Sequence, residues 1–279
     1  MKKILNKYLP VAYGTYFNSL VYFAPEKVAK NAFEVFCTVR KGKVLPAQAP
    51  FLDIAKDKLH KVADLQIQAY RWIGNGPTVL LVHGWESNAW RWHKLIAKLQ
   101  QADFNIIAFD APAHGYSSGK VLNVPIYAKV LEHMTHHYRP QHLVGHSVGG
   151  MTAIFHEYHH PGSEIDKIVT IGSPSEFHEI MAQYQAILGL NGKVMRAIDT
   201  YLFSRFGFHI REVSSSCYVK TNTKKGLLFH DRSDKIAPYH ASESVHAAWK
   251  GSRLVSTDGL GHSMHQDEVN DELVAFLRE

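Results

Sequence analysis

The sequence predicts an α/β fold: a mostly parallel central sheet with helices on both faces. Three observations carry that prediction. Short apolar runs alternate with helix-period segments from residue 66 onward. One run ends in Leu143-Val144-Gly145-His146-Ser147-Val148-Gly149-Gly150, which sets a serine in Gly-x-Ser-x-Gly just before a helical pattern. Two later runs end in polar turns, one holding Asp231 and Asp234, the other His262. Strand–helix alternation of this kind requires parallel strands joined by right-handed crossovers.

The first 65 residues precede the alternation. Pro25, at a predicted first helical position, opens a helix to about residue 39 with Val28, Ala32, Phe33 and Phe36 on one face. Pro46 and Pro50 mark a loop. Residues 66–72 read as a strand, Gly74-Asn75-Gly76-Pro77 as a hairpin turn, and residues 78–83 as the next strand. Further strands are expected at 104–110, 141–146, 167–171, 226–230 and 253–257. Helices are expected near 90–101, 124–138, 149–160, 239–249 and 267–278. The alternation stops at residue 175. Phe177, Ile180, Met181, Tyr184, Ile187 and Leu188 recur at helical spacing, and after a Gly-punctuated break Val194, Ile198, Tyr201, Leu202 and Arg205 resume it. The expected organisation is therefore a helical N-terminal extension packing on the core (1–65), a core (66–174 and 217–279) and a helical insertion after the sixth core strand (175–216).

Composition sets limits. With 46% hydrophobic and 20% charged residues, 279 residues can bury a large core and do not read as disordered. The net charge of +6 is scattered. Its densest groups are Lys2, Lys3 and Lys7, and Arg40, Lys41 and Lys43 at an expected helix end. No run of five or six like charges occurs, so a nucleic-acid partner is not expected. Cys37 and Cys217 match no metal or redox spacing, and both read as buried thiols of a reducing compartment. No run of about twenty apolar residues is present. Asn6 and Lys7 interrupt the N-terminal apolar run before it reaches signal-peptide length. A cytoplasmic location is expected, with a peripheral membrane contact through residues 13–23 left open; the oligomeric state is not readable.

A serine hydroxyl needs a base to take its proton and donors to hold the oxyanion it creates. A sharp strand-to-helix turn lifts the hydroxyl clear of the sheet and aims the next N–H at the reacting centre. Besides the serine motif and the two later turns, the chain holds Val79-Leu80-Leu81-Val82-His83-Gly84-Trp85 and Phe109-Asp110-Ala111-Pro112-Ala113-His114-Gly115-Tyr116-Ser117. With five motifs in this order, the chain resembles the α/β-hydrolase superfamily, in its serine esterase and lipase-like branch, from about residue 66 to the C-terminus. The resemblance implies Ser147 as nucleophile, His262 as general base and Asp234 as the group that orients the imidazole. It implies the backbone N–H groups of Trp85 and Val148 as oxyanion donors, and residues 175–216 as a lid. The sequence departs from the family pattern at Asp231, which stands where a glycine is usual and is an alternative acid. It departs again at Ala113, in the place of a loop glycine.

A serine nucleophile argues against dehalogenase and epoxide-hydrolase chemistry, which needs a carboxylate there. The expected activity is hydrolysis of a small, largely apolar carboxylic ester through an acyl-enzyme, without cofactor or metal. Thioester, lactone and carbon–carbon bond cleavage, and acyl transfer, are open on the same triad. A ligand-binding sensor with incidental turnover is the alternative of another class, and an interfacial lipolytic enzyme a third. His156-Glu157-Tyr158-His159-His160 matches a zinc-protease pattern literally, with His156 and His160 in register, but it ends the helix launched by Ser147 and is read as structural. His133, His136 and His137 are read as a solvated or helix-end cluster, and His83, His114 and His146 as supporting groups. The Trp85 indole either walls the pocket or packs. Glu86 reads as a loop carboxylate or as a contact to a polar substrate end.

Overall fold

A computed structural model of the chain describes residues 2–279, with side chains from Tyr8 onward. The basic group Lys2, Lys3 and Lys7 falls outside the residues whose side chains are described. In chain order the elements begin α1 (Lys2–Leu20), α2 (Pro25–Cys37), α3 (Ala49–Asp53), β1 (Lys56–Val62), β2 (Leu65–Trp72) and β3 (Thr78–Val82). Next come α4 (His93–Gln101), β4 (Asn105–Phe109), α5 (Val124–Tyr138), β5 (His142–His146), α6 (Val148–His159) and β6 (Lys167–Ile171). The chain continues through α7 (Phe177–Leu188), α8 (Gly192–Phe206), α9 (Ser215–Tyr218), β7 (Lys225–Asp231), α10 (His240–Ala248), β8 (Ser252–Thr257) and α11 (Asp267–Arg278).

Two units emerge, Met1–Thr38 with Glu176–Ser214, and Val39–Ser175 with Ser215–Glu279. Residues 39–65 go with the sheet, and the N-terminal helices share a unit with the insertion. Aromatic packing explains the helical unit. Phe33 of α2 lies against Tyr201 and Phe206, and Phe36 against Phe177 and Tyr184. The Tyr184 hydroxyl donates to Ala32 O at 2.7 Å. Asn18 ties α1 to the α7–α8 turn by donating to Gly189 O and accepting the Asn191 N–H, each at 2.8 Å.

The larger unit holds one eight-stranded sheet, ordered β1-β2-β4-β3-β5-β6-β7-β8. Strands β4 to β8 and β3 run parallel, and β1 and β2 form an antiparallel edge. Gly74–Pro77 is not a hairpin turn, because β2 pairs with β1 and β4, never with β3. Its N–H groups go elsewhere: Gly76 donates to Asp103 O and Asn75 to the Asp103 carboxylate, at the start of the strand that slots between. Strand β1 is an addition to the expected set. Its only fully buried residue is His60, and its lysines face solvent, as befits a sheet edge protected from pairing with other chains.

Apolar side chains cover both sheet faces. Leu95, Ile96 and Leu99 of α4 with Leu273 and Phe276 of α11 bury one; Tyr127, Leu131, Ile154, Val245 and Trp249 bury the other. Because β3 lies between β4 and β5, successive crossovers diverge at its C-terminal end. That crevice is where open α/β sheets place ligands. Among the described residues no helix is long and apolar enough to cross a membrane. Cys37 is buried as expected, whereas Cys217 is exposed, on the outer side of the short α9.

Candidate active site

Strand β5 delivers Ser147 directly into α6. The residue adopts φ +54°, ψ −126°, a left-handed conformation that costs a side-chain-bearing residue on the order of 1–3 kcal/mol. The surrounding packing holds it there. Its N–H donates to Ile171 O on the neighbouring strand at 2.9 Å. A Cβ on Gly149 would fall 2.2 Å from Val82 O, so only glycine lets the first turn of α6 press onto β3. Among the described hydrogen bonds none takes the backbone N–H of Val148 or Trp85.

The structure brings Asp234 and His262 together at the same edge. His262 Nδ1 lies 2.7 Å from Asp234 Oδ2. A carboxylate can only accept, so Nδ1 carries the proton and Nε2 is left basic. The Asp234 side chain is fully buried, and its other oxygen accepts the Ile236 and Ala237 N–H groups at 2.8 and 3.1 Å. Asp231, the alternative acid, turns away from His262. Its carboxylate accepts from the Ser233 N–H and hydroxyl, the Thr257 hydroxyl at 2.7 Å and the Leu260 N–H at 2.8 Å. Burial alone would raise its pKa, but the bonds from Ser233, Thr257 and Leu260 prevail and hold it well below the usual carboxylate range. Asp231 thus fastens the loop that carries His262 to the turn that carries Asp234.

Four buried histidines act as neutral struts. Burial pushes His83 down to about 4 and His114 to about 3, and takes His146 well below its ordinary value. His83 donates from Nδ1 to Gly84 O and accepts the Ala111 N–H at Nε2. His114 donates to Pro112 O and accepts the Glu86 N–H at 2.9 Å. His146 donates from Nε2 to His262 O at 3.0 Å. The fourth, His230, is absent from the residues singled out by sequence. Burial lowers its pKa; it donates to Ala237 O and accepts from the Ser242 hydroxyl, bracing the Asp234 turn. Arg91 is a second residue the sequence reading misses: its buried guanidinium donates to Ser263 O at 2.7 Å, so the His262 loop is gripped at two successive carbonyls. A histidine at the end of a buried strand and an arginine amid tryptophans are the signals that could have found them.

The Asp110 loop is structural. Its carboxylate accepts from Tyr70 OH at 2.6 Å and from the Ala89 and Tyr116 N–H groups at 2.9 Å; burial raises its pKa against those bonds. Ala113, where the family has glycine, sits at φ +70°. The Trp85 indole meets the His114 ring edge to face at 6.0 Å and is partly buried, and the Glu86 carboxylate accepts the Arg40 N–H at 3.3 Å.

The other histidine clusters are accounted for by packing. His156 Nδ1 lies 2.9 Å from Glu157 Oε1, and the Ser163 hydroxyl donates to the other Glu157 oxygen at 2.6 Å. Among the described residues no group of three or more His, Cys, Asp or Glu is placed to hold a metal. His133 is more than solvated. Its Nε2 lies 3.0 Å from Nδ1 of buried His60, which contacts the Tyr138 hydroxyl through Nε2, and Tyr138 in turn donates to Asp57.

The sequence model of the family described as alpha/beta hydrolase fold matches residues 77–202. The chain is 32% identical over 140 residues to a pimeloyl-[acyl-carrier protein] methyl ester esterase of Vibrio atlanticus, a match covering 48% of this chain and 50% of that protein. It is 30% identical over 105 residues to the enzyme of that name from Vibrio vulnificus strain YJ016, covering 37% and 40%. The chain therefore spans half or less of the length of these curated relatives. Among solved structures, Est1E of Butyrivibrio proteoclasticus with bound ferulic acid superposes at a TM-score of 0.67 with 18% identity, covering 78% of this chain and 96% of that one. That likeness is one of fold. By its sheet, its serine turn and the matched segment, the chain has the α/β-hydrolase fold.

Proposed function

We propose that this chain is a serine hydrolase of small, largely apolar carboxylic esters. The observation that carries the reading is Ser147 at its left-handed turn, with an Asp234-oriented His262 at the same sheet edge. Ser147 Oγ attacks the ester carbonyl as His262 Nε2 takes its proton. The Trp85 and Val148 N–H groups, with the positive end of α6 behind them, hold the oxyanion. Collapse of the tetrahedral intermediate expels the alcohol, protonated by His262, and leaves an acyl group on Ser147. Water, deprotonated by His262, then releases the acid. Asp234 keeps the proton on Nδ1 and stabilises the imidazolium at each stage.

Two curated relatives are named as methyl ester esterases, which supports an ester with a small alcohol as the substrate class. A lid role for residues 175–216 belongs to the proposal and rests on chain path alone, since the chain leaves the sheet unit at Ser175 and rejoins it at Ser215. A cytoplasmic setting rests on cysteine usage. The test is the initial rate on nitrophenyl esters of two to sixteen carbons, for wild type and Ser147→Ala. Turnover abolished by the substitution supports the reading, and the preferred chain length sizes the acyl site. Turnover of thioesters or diketones in place of esters would move the reading to another bond, and equal rates for both proteins would end it.

A further inference from the structure

Residues 39–43 lie upstream of the segment matched by the family, and by sequence they are no more than a basic helix end. Helix α2 stops at Cys37, and the chain then runs as a strap along the loop that presents the Trp85 N–H. Gly42 is its seat. It has φ +92°, and a Cβ there would fall 2.7 Å from Ser87 O, 2.7 Å from His114 Cδ2 and 2.9 Å from the Glu86 carbonyl carbon. Gly42 O accepts the Gly115 N–H at 2.9 Å and an Asn88 amide proton at 3.3 Å. On either side, the Arg40 N–H holds the Glu86 carboxylate and Lys43 Nζ donates to Ser117 O at 3.0 Å.

The loop under the strap is strained. Glu86 sits at φ +50°, a conformation that costs a residue with a Cβ about 1–2 kcal/mol and persists only where its surroundings fix it. Its N–H is fixed by His114, its carboxylate by Arg40, and its carbonyl carbon packs on Gly42. The peptide one bond upstream carries the Trp85 N–H. An oxyanion donor acts through preorganisation, so a displacement of well under an ångström weakens it.

We propose that the strap of residues 39–43 is a positioning element of the oxyanion hole, with Gly42 and the Arg40 N–H clamping the Glu86 backbone so that the Trp85 N–H stays aimed at the developing charge. The role rests on the hydrolase reading of Ser147. Its signature is a loss confined to the transition state, with ground-state binding intact.

The experiment compares Gly42→Ala, Glu86→Ala and wild type on the best nitrophenyl ester, with an alkylboronic acid as mimic of the tetrahedral intermediate. The strap predicts kcat lower by about 10- to 100-fold in Gly42→Ala. KM should stay within about threefold, and boronate Ki should rise in proportion to the loss of kcat. Glu86→Ala, which removes only the carboxylate clamp, should show the same pattern at about 3- to 10-fold. Unchanged kcat in folded Gly42→Ala overturns the proposal, as does a fall in kcat with boronate affinity retained. If Gly42→Ala fails to fold, Glu86→Ala decides by the same two readouts. Stoichiometric phosphonate labelling of wild-type Ser147 separates the two readings: a labelled enzyme with indifferent variants sinks the strap alone, whereas an unlabelled wild type sinks the hydrolase reading and the strap with it.

Discussion

Helix α6 has a residue motif at each end, and the two ends differ in how their polar groups are used. At the first, Ser147 is held at φ +54° where β3, β5 and β6 end, its backbone bonded to Ile171 and the helix pressed onto Val82. At the last, His156, Glu157 and His160 reproduce the letters of a zinc motif, yet His156 and Ser163 occupy the Glu157 carboxylate. The serine end has unspent N–H groups and a serine in a strained conformation. At the histidine end, His156 is held between Glu157 and Thr135. A motif signals chemistry when the fold leaves its polar groups unspent at a sheet edge, and signals packing when it does not.

Substitutions at the two ends should separate rate from stability. The largest effect is expected from Ser147→Ala, which should lower kcat by on the order of 10⁴ or more while leaving the melting curve close to wild type. Asp234→Asn comes next, at about 10³-fold or more, because an asparagine can favour the wrong tautomer of His262. Three residues away, Asp231→Asn should behave differently, with a stability loss of about 2–4 kcal/mol from its buried bonds and a much smaller kinetic effect. The sign of its pH dependence comes from its depressed pKa. The stabilisation is full above the unfolded value near 3.9 and fades as pH falls toward the folded one, so the stability gap between Asp231→Asn and wild type should close on acidification. Equal rate losses at 231 and 234 would erase the distinction.

At the far end of α6, His156→Gln should leave kcat within about threefold of wild type and lower stability by about 2–4 kcal/mol, since Glu157 would lose its buried partner. A rate loss matching that of Asp234→Asn would break the comparison. The smallest effect is at Ala113, whose φ of +70° suits glycine better. Ala113→Gly should stabilise by about 1 kcal/mol or less once the extra freedom of the unfolded chain is counted.

The legibility of each element in the sequence depends on the surroundings its residues face. The inner parallel strands β3 to β7 are legible because both their faces are buried, which writes a nearly continuous apolar run. Strand β1 is not, because Lys56, Asp57, Lys58 and Lys61 point outward and His60 alone is fully buried. The Gly74–Pro77 turn carries a hairpin signal, but no local signal announces that β4 will insert between the two strands it links. Asp231 and Asp234 cannot be ranked by spacing; their hydrogen-bond partners rank them. The aromatic pairing of α2 with the insertion joins residues some 150 positions apart, beyond the reach of periodicity. Gly42, between basic residues, looks like a helix terminator, and its fit against Glu86 and His114 becomes visible only once the loops are assembled.

The most direct test of the central claim is intact-mass analysis of the wild-type chain and of Ser147→Ala after exposure to a fluorophosphonate, with peptide mapping of the adduct. Activated Ser147 predicts one adduct per wild-type chain, on that residue, and none on the variant. An unmodified wild-type chain, or equal labelling of both proteins, would contradict it.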